Sequence, residues 1–228
     1  MKKIIGILFI CTLFLSCAKE ETQGKLTIDN DDILMHHNDE ISIAAQTTTG
    51  NPVYFKSLDE IIVKSDVNGN LKGGIIGETL VMVTDGINES NVKVTVVPKY
   101  KNATEPFIRF GSSMDEVKMN VKGFLSVNNS DYLIYTIKDD ISEYKQAYYF
   151  DNNKLVASEN IFNDGSAQAL ESSKSIAERY VFTGSSSDGL FHKERNNKFY
   201  IMYSTKQGYT NLPYTKKAFF VYTINTIK

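Results

Sequence analysis

The chain has 228 residues, with 25 Lys and Arg against 27 Asp and Glu, two Cys and no Trp, for a formal net charge of -2. That balance, with no Lys/Arg stripe, excludes the electrostatic footprint of a nucleic-acid binder. Both cysteines, Cys11 and Cys17, lie at the N-terminus, so no disulfide framework or thiolate metal centre is expected and stability must come from packing.

In chain order, Lys2 and Lys3 form a basic start, and Ile4 to Leu15 form an apolar run too short to span a bilayer as a helix. Phe14-Leu15-Ser16-Cys17 resembles a bacterial lipobox, with Phe14 where Leu is usual. The resemblance implies that residues 1–16 are a signal peptide and that Cys17 is the lipidated mature N-terminus. Losing Lys2 and Lys3 leaves 23 basic and 27 acidic residues, a mature net charge of -4. Cys17-Ala18-Lys19-Glu20-Glu21 resembles the acidic export tag of Bacteroidota surface lipoproteins, and Ala18 is not the Asp that favours inner-membrane retention. The plainer reading makes residues 17–24 a polar tether, and both can hold at once. The expected place is the outer membrane, lipid-anchored and facing the cell exterior.

About two hundred mature residues suffice for one large or two modest cores. Pro98 and Pro106 bracket a polar stretch, so residues 99–106 read as a linker. Eleven of the thirteen tyrosines lie beyond residue 100, so the two sides have different cores.

From residue 25 to 98 the pattern is short strands and turns. Ile41–Ala44, Val53–Phe55, Leu80–Val83 and Val92–Val97 are β-rich, and Val92, Val94 and Val96 alternate with Lys93 and Thr95. Asn68-Gly69 suits a tight hairpin. This spacing predicts a β-sandwich. Phe55-Lys56-Ser57-Leu58-Asp59, Asp66-Val67-Asn68-Gly69-Asn70-Leu71-Lys72-Gly73 and Gly77-Glu78-Thr79-Leu80-Val81 resemble a group 2 bacterial Ig-like domain. Phe55 stands where that family has Trp, and Ser65 where it is apolar. The resemblance implies a spacer, adhesion or carbohydrate-associated module. Asp29, Asp31, Asp32, Asp66 and Asn68 are oxygen-bearing candidates for calcium, but they do not fit an EF-hand loop and Asp66 to Asn70 reads better as a turn. His36-His37 is a ligand pair by type only, since adjacent strand residues face opposite ways.

Residues 107–228 predict an α+β domain of two helix–strand–strand units, with both helices on one face of an antiparallel sheet. Ser113-Met114-Asp115-Glu116 is a capping box, and Met114, Val117, Val121, Phe124 and Leu125 recur at helical spacing. Strands follow at Tyr132–Ile137, Gln146–Phe150 and Leu155–Ser158. A second helix is expected from Asp164–Ser166 to Tyr180, facing the core with Ala169, Leu170, Ser173, Ile176, Ala177 and Tyr180. Strands at Phe199–Tyr203 and Ala218–Tyr222 close the domain. Phe110-Gly111-Ser112-Ser113-x-x-Glu116-Val117 and Tyr149-Phe150-Asp151-Asn152-Asn153-Lys154-Leu155 resemble the small outer-membrane lipoprotein folds shared with β-lactamase inhibitor proteins. That resemblance bears on topology, not on inhibition.

A sheet covered on one face leaves the other open. Tyr135, Tyr148, Tyr200, Tyr203 and Tyr222 are the candidate residues there for binding a protein or stacking on sugar rings, with burial in the core as the competing reading for each. Catalytic signals are poor. His192 is the one histidine of the second domain and has no nucleophile elbow near it, Ser185 to Gly189 reads as a loop, and Asp139-Asp140 are adjacent turn residues. No catalytic residue, metal site or cofactor is expected. The leading expectation is a non-enzymatic surface lipoprotein, an Ig-like stalk presenting an α+β domain to a protein or glycan. A periplasm-facing structural lipoprotein that assists an envelope complex is the alternative.

Overall fold

The computed structural model describes residues 24–100, 105–138, 143–163, 167–187, 189–204 and 218–225, with backbone alone at Asn163, Gln168, Tyr200, Ser204 and 218–225. The signal peptide, Cys17, most of the tether, Asp139-Asp140 and residues 164–166 lie outside the described residues.

The first unit is all β. Its strands are β1 (Leu26–Ile28), β2 (Asp32–His36), β3 (Glu40–Ser42), β4 (Ala45–Thr47), β5 (Tyr54–Ser57), β6 (Val63–Ser65), β7 (Asn70–Gly73), β8 (Gly77–Thr84) and β9 (Glu89–Val97). A four-stranded sheet, β2-β9-β8-β5, faces a three-stranded one, β3-β7-β6, while β1 and β4 form a ribbon. The strand alternation explains the core: Val92, Val94 and Val96 point inward from β9, and Val81 and Val83 from β8. They meet Val63, Leu71 and Ile43 from the other side. Phe55 is buried among them.

Two departures from simple strand chemistry are explained locally. The Ser65 hydroxyl accepts the Ser57 N–H at 2.7 Å, so the polar residue links β6 to β5 across the sandwich edge. Asp66 Oδ1 accepts the amides of Asn68 and Asn70, both at 2.9 Å, and Oδ2 accepts Asn70 Nδ2 at 2.7 Å, which holds its carboxyl below the usual carboxylate range. This carboxylate is used up in closing the β6–β7 turn. Gly69 sits there at φ +85°, where an added Cβ would lie 2.7 Å from the Ile43 carbonyl oxygen.

The second unit holds α1 (Met114–Asn120), β10 (Phe124–Asn128), β11 (Tyr132–Lys138), β12 (Glu143–Asp151), β13 (Lys154–Asn163), α2 (Ala167–Arg179), β14 (Val181–Ser186), β15 (Gly189–Lys193), β16 (Phe199–Ser204) and β17 (Ala218–Asn225). The eight strands form one antiparallel sheet in the order β10-β11-β12-β13-β17-β16-β15-β14. Each helix is thus followed by four strands, where the helix–strand–strand reading named three after the first helix and two after the second. The extra strands were hidden for identifiable reasons. Phe124 and Leu125 continue the helical spacing of α1 but belong to β10, because Val121 leaves the helix in an extended conformation. Gly123 then passes so close to β11 that a Cβ there would lie 2.5 Å from Ile137 Cδ1. Ser185 and Ser186 are in strand β14, with Ser186 paired to Gly189 in a tight hairpin, rather than in a loop.

The capping box of α1 is present in full: Ser113 Oγ accepts the Glu116 N–H at 3.2 Å, and Glu116 Oε2 accepts the Ser113 N–H at 2.8 Å. Val117 of α1 packs on Leu133, Tyr148, Phe150 and Leu155, and Ala169 and Ile176 of α2 pack on Tyr144, Phe162 and Ile201. In β12, Tyr144 and Tyr148 are four residues apart and share a face, so both helices lie on the same side of the sheet. In α2, Leu170 is exposed, while Ser172, Ser175 and Glu178 are buried with Ala169 and Ile176. Both edge strands carry a bulge, β10 between Leu125 and Val127 and β14 between Phe182 and Gly184, which blunts the edges against further pairing.

Candidate functional site on the helix-free face

The register of the sheet assigns the aromatic residues to faces. Tyr135 lies opposite Gln146, and Leu133 opposite Tyr148, in the row that faces α1. Tyr135 and Tyr148 are therefore core residues, stacked edge to face at 5.9 Å, and not partner-facing ones. Tyr148 Oη accepts the Phe107 N–H at 3.2 Å and donates to Gln146 Oε1 at 2.8 Å, and burial pushes its phenol well above the usual range. Tyr203 packs against the cluster under α2 and is likewise on the covered side. Of Tyr200 and Tyr222 the backbone register is described: Tyr222 pairs with Glu159 and with Met202, and Tyr200 with Ile224.

The opposite parity builds the helix-free face. Tyr132 pairs with Tyr149, Ile134 with Ala147, and Ala147 with Glu159. The Tyr132 and Tyr149 rings sit 6.4 Å apart at a tilt, and both are half-buried. Phe124, on the outermost strand, lies opposite Thr136 in this same parity and is 74% exposed. Sequence reasoning missed these three aromatics. Neighbouring tyrosines at 148 and 149 signal that one faces each way, but nothing local says which.

Glu159, on β13 beside the sheet's midline, is 1% exposed. Its Oε2 accepts the Tyr149 hydroxyl at 2.7 Å. Desolvation outweighs this bond and pushes the carboxyl up to about 7. The face therefore combines one exposed aromatic, two half-buried tyrosines and a buried acid whose carboxyl is pushed up by desolvation.

A second feature lies where the two units meet. A cleft of about 380 Å³ is lined by Ile75 and Ile76 of the sandwich and by Glu105, Arg179, Tyr180 and Phe199 among the other residues. Tyr180 donates to Glu105 Oε1 at 2.8 Å, and Arg195 pairs with Asp59. The polar groups around this cleft satisfy one another.

The other candidates have local partners. His36 Nδ1 faces Asp39 at 3.2 Å, and His37 Nδ1 faces the Gly74 carbonyl at 2.7 Å, so the pair does not converge. His192 is buried, its Nδ1 has no hydrogen-bond partner, and desolvation pushes the ring down to about 4. The Phe182 ring lies edge to face with it at 5.4 Å. Among the described residues, no three His, Cys, Asp or Glu side chains gather as a metal cluster, and no helix is long and apolar enough to cross a membrane.

No family model matches the chain, and no curated protein matches it in sequence. Among solved structures, it is similar to domains 5-6 of the S-layer protein SbsC, with 14% identity, 88% of this chain and 83% of that one covered, and a TM-score of 0.28. It is also similar to a mutant of intimin from EHEC O157:H7, with 13% identity, 87% and 98% covered, and a TM-score of 0.28. Similarity at this level carries no conclusion about fold or role.

Proposed function

We propose that this protein is a non-enzymatic, lipid-anchored envelope protein of the outer membrane that faces the cell exterior. In this reading the sandwich is a group 2 bacterial Ig-like stalk, joined to the membrane through a lipid on Cys17. The second unit is a head that binds a protein or glycan partner. The observation that carries the reading is the helix-free face, which holds exposed Phe124 on the edge strand and, further along the neighbouring strands, the half-buried pair Tyr132 and Tyr149, while both helices pack on the other side. Aromatic rings held on adjacent strands lose little side-chain freedom on binding, and their faces suit both protein contacts and sugar rings.

The test is proteinase treatment of intact cells carrying an epitope after Lys228, with lysed cells as control. Loss of signal from intact cells supports the surface reading. Protection until lysis sinks it in favour of a periplasm-facing structural lipoprotein. For a partner then found on the cell exterior, Phe124→Ala and Tyr132→Ala must weaken binding while Tyr135→Phe, inside the core, leaves it unchanged.

A further inference from the structure

We infer that Glu178 is the latch of a rigid joint, fixing the second unit to the sandwich through main-chain amides of Ile76, Lys99 and Tyr100. Glu178 has no exposed surface, and a carboxylate taken out of water is tolerated only where its lone pairs are matched. The match comes from across the joint. Oε2 accepts the Lys99 N–H at 2.9 Å, and Oε1 accepts the Tyr100 N–H at 3.3 Å and Arg179 Nη1 at 2.6 Å. The Glu178 carbonyl accepts the Ile76 N–H at 2.7 Å. Arg179 returns to the same strand exit, donating from Nη2 to the Tyr100 carbonyl at 3.2 Å, and is braced on the Ser175 carbonyl at 3.1 Å.

One helix terminus therefore satisfies amides from two separate places, the start of the linker that leaves β9 and the turn of the sandwich that enters β8. Bonds to Lys99 and Tyr100 alone would leave a swivel, since both lie on one strand end. Ile76 supplies a second point, and the Arg195–Asp59 pair a third, although a surface pair of this kind adds little by itself. Parting the units would strip a buried carboxylate of both its amide donors and leave it Arg179 alone, so the contacts are expected to open together. The joint holds whatever the head binds, and it fixes the direction in which the helix-free face points relative to the stalk.

Amide hydrogen exchange on the whole protein tests this. In the wild type, Ile76, Lys99 and Tyr100 are expected to exchange slowly and with a common rate. In Glu178→Gln one acceptor oxygen becomes an NH₂ donor, and all three amides are expected to exchange at least about tenfold faster while Val94 and Val96 keep their protection. Unprotected exchange of the three in the wild type overturns the joint. So does acceleration of Lys99 and Tyr100 with Ile76 unmoved. Should the Gln variant also loosen Val94 and Val96, Glu178→Asp decides, since it keeps the charge but is too short to reach both strand-exit amides. Selective acceleration of all three there supports the joint, and any other pattern refutes it.

Discussion

Replacing Glu159 by Gln is expected to stabilise the second unit above pH 7 and to change little below pH 4.5. The acid is buried with the Tyr149 hydroxyl as a neutral donor, and its carboxyl is pushed from 4.5 to about 7. A carboxyl raised on folding binds its proton more tightly in the native state. Its contribution is therefore fully present below 4.5 and is lost as pH rises through 7. Across that gap, at roughly 1.4 kcal/mol per pH unit, the ionised acid costs about 3 kcal/mol of stability. Gln keeps an acceptor for Tyr149 and never ionises, so the variant should be more stable than the wild type by up to about 3 kcal/mol at pH 8. The assay is urea unfolding of the mature protein at pH 4.5, 6 and 8. The chain has no Trp and eleven of its thirteen tyrosines lie beyond residue 100, so tyrosine emission reports the second unit. A difference between variant and wild type that is the same at all three pH values would refute the reasoning.

His192→Phe should remove an acid sensitivity of the opposite sign. The ring is pushed from 6.5 down to about 4, so its contribution is present above 6.5 and lost as pH falls toward 4, and urea titrations between those limits should show a slope that the Phe variant lacks. Because Glu159 gains over much of the range where His192 loses, the wild type should vary less with pH than either variant. Tyr148→Phe should cost about 1–3 kcal/mol at any pH below the phenol's range, measured by the same unfolding, since it leaves the Phe107 N–H and Gln146 Oε1 without their partner. Gly69→Ala should destabilise the sandwich by about 1–2 kcal/mol, read as a shifted far-UV transition, because the site combines φ +85° with a carbonyl in the path of the new Cβ.

The sandwich was legible where each strand has one apolar parity. Val92, Val94 and Val96 alternate with polar neighbours, and one face can be read directly. The sheet of the second unit resists that reading because both parities are apolar. Leu133, Tyr135 and Ile137 alternate with Tyr132, Ile134 and Thr136, and Ile134 is as fully buried as Leu133. Choosing Tyr135 and Tyr148 for the free face was therefore a choice of parity that local residues cannot make. It is decided by which row α1 covers, a contact between segments far apart in sequence. The capping box at Ser113 and the turn at Asn152 and Asn153 were legible because their chemistry is local, with both asparagines at positive φ. The buried carboxyls had no signal at all, since charged residues in strands and helix ends are ordinarily solvated.

Glu159 and Glu178 set the two environments side by side. Each is a glutamate with almost no exposed surface. Glu178 collects two backbone amides and a guanidinium, so burial there strengthens every bond it makes and opposes separation of the units. Glu159 has the hydroxyl of Tyr149 as its donor, and burial there works against the ionised form. Burial alone does not make an acid a cement; matched donors do. The joint is thus the place where the fold gains rigidity from a carboxyl, and the helix-free face is where it carries one at a cost. An under-compensated acid under half-buried tyrosines is a local inconsistency of the kind that functional sites often carry, and it is one physical reason why the proposal places binding on that face and not at the joint.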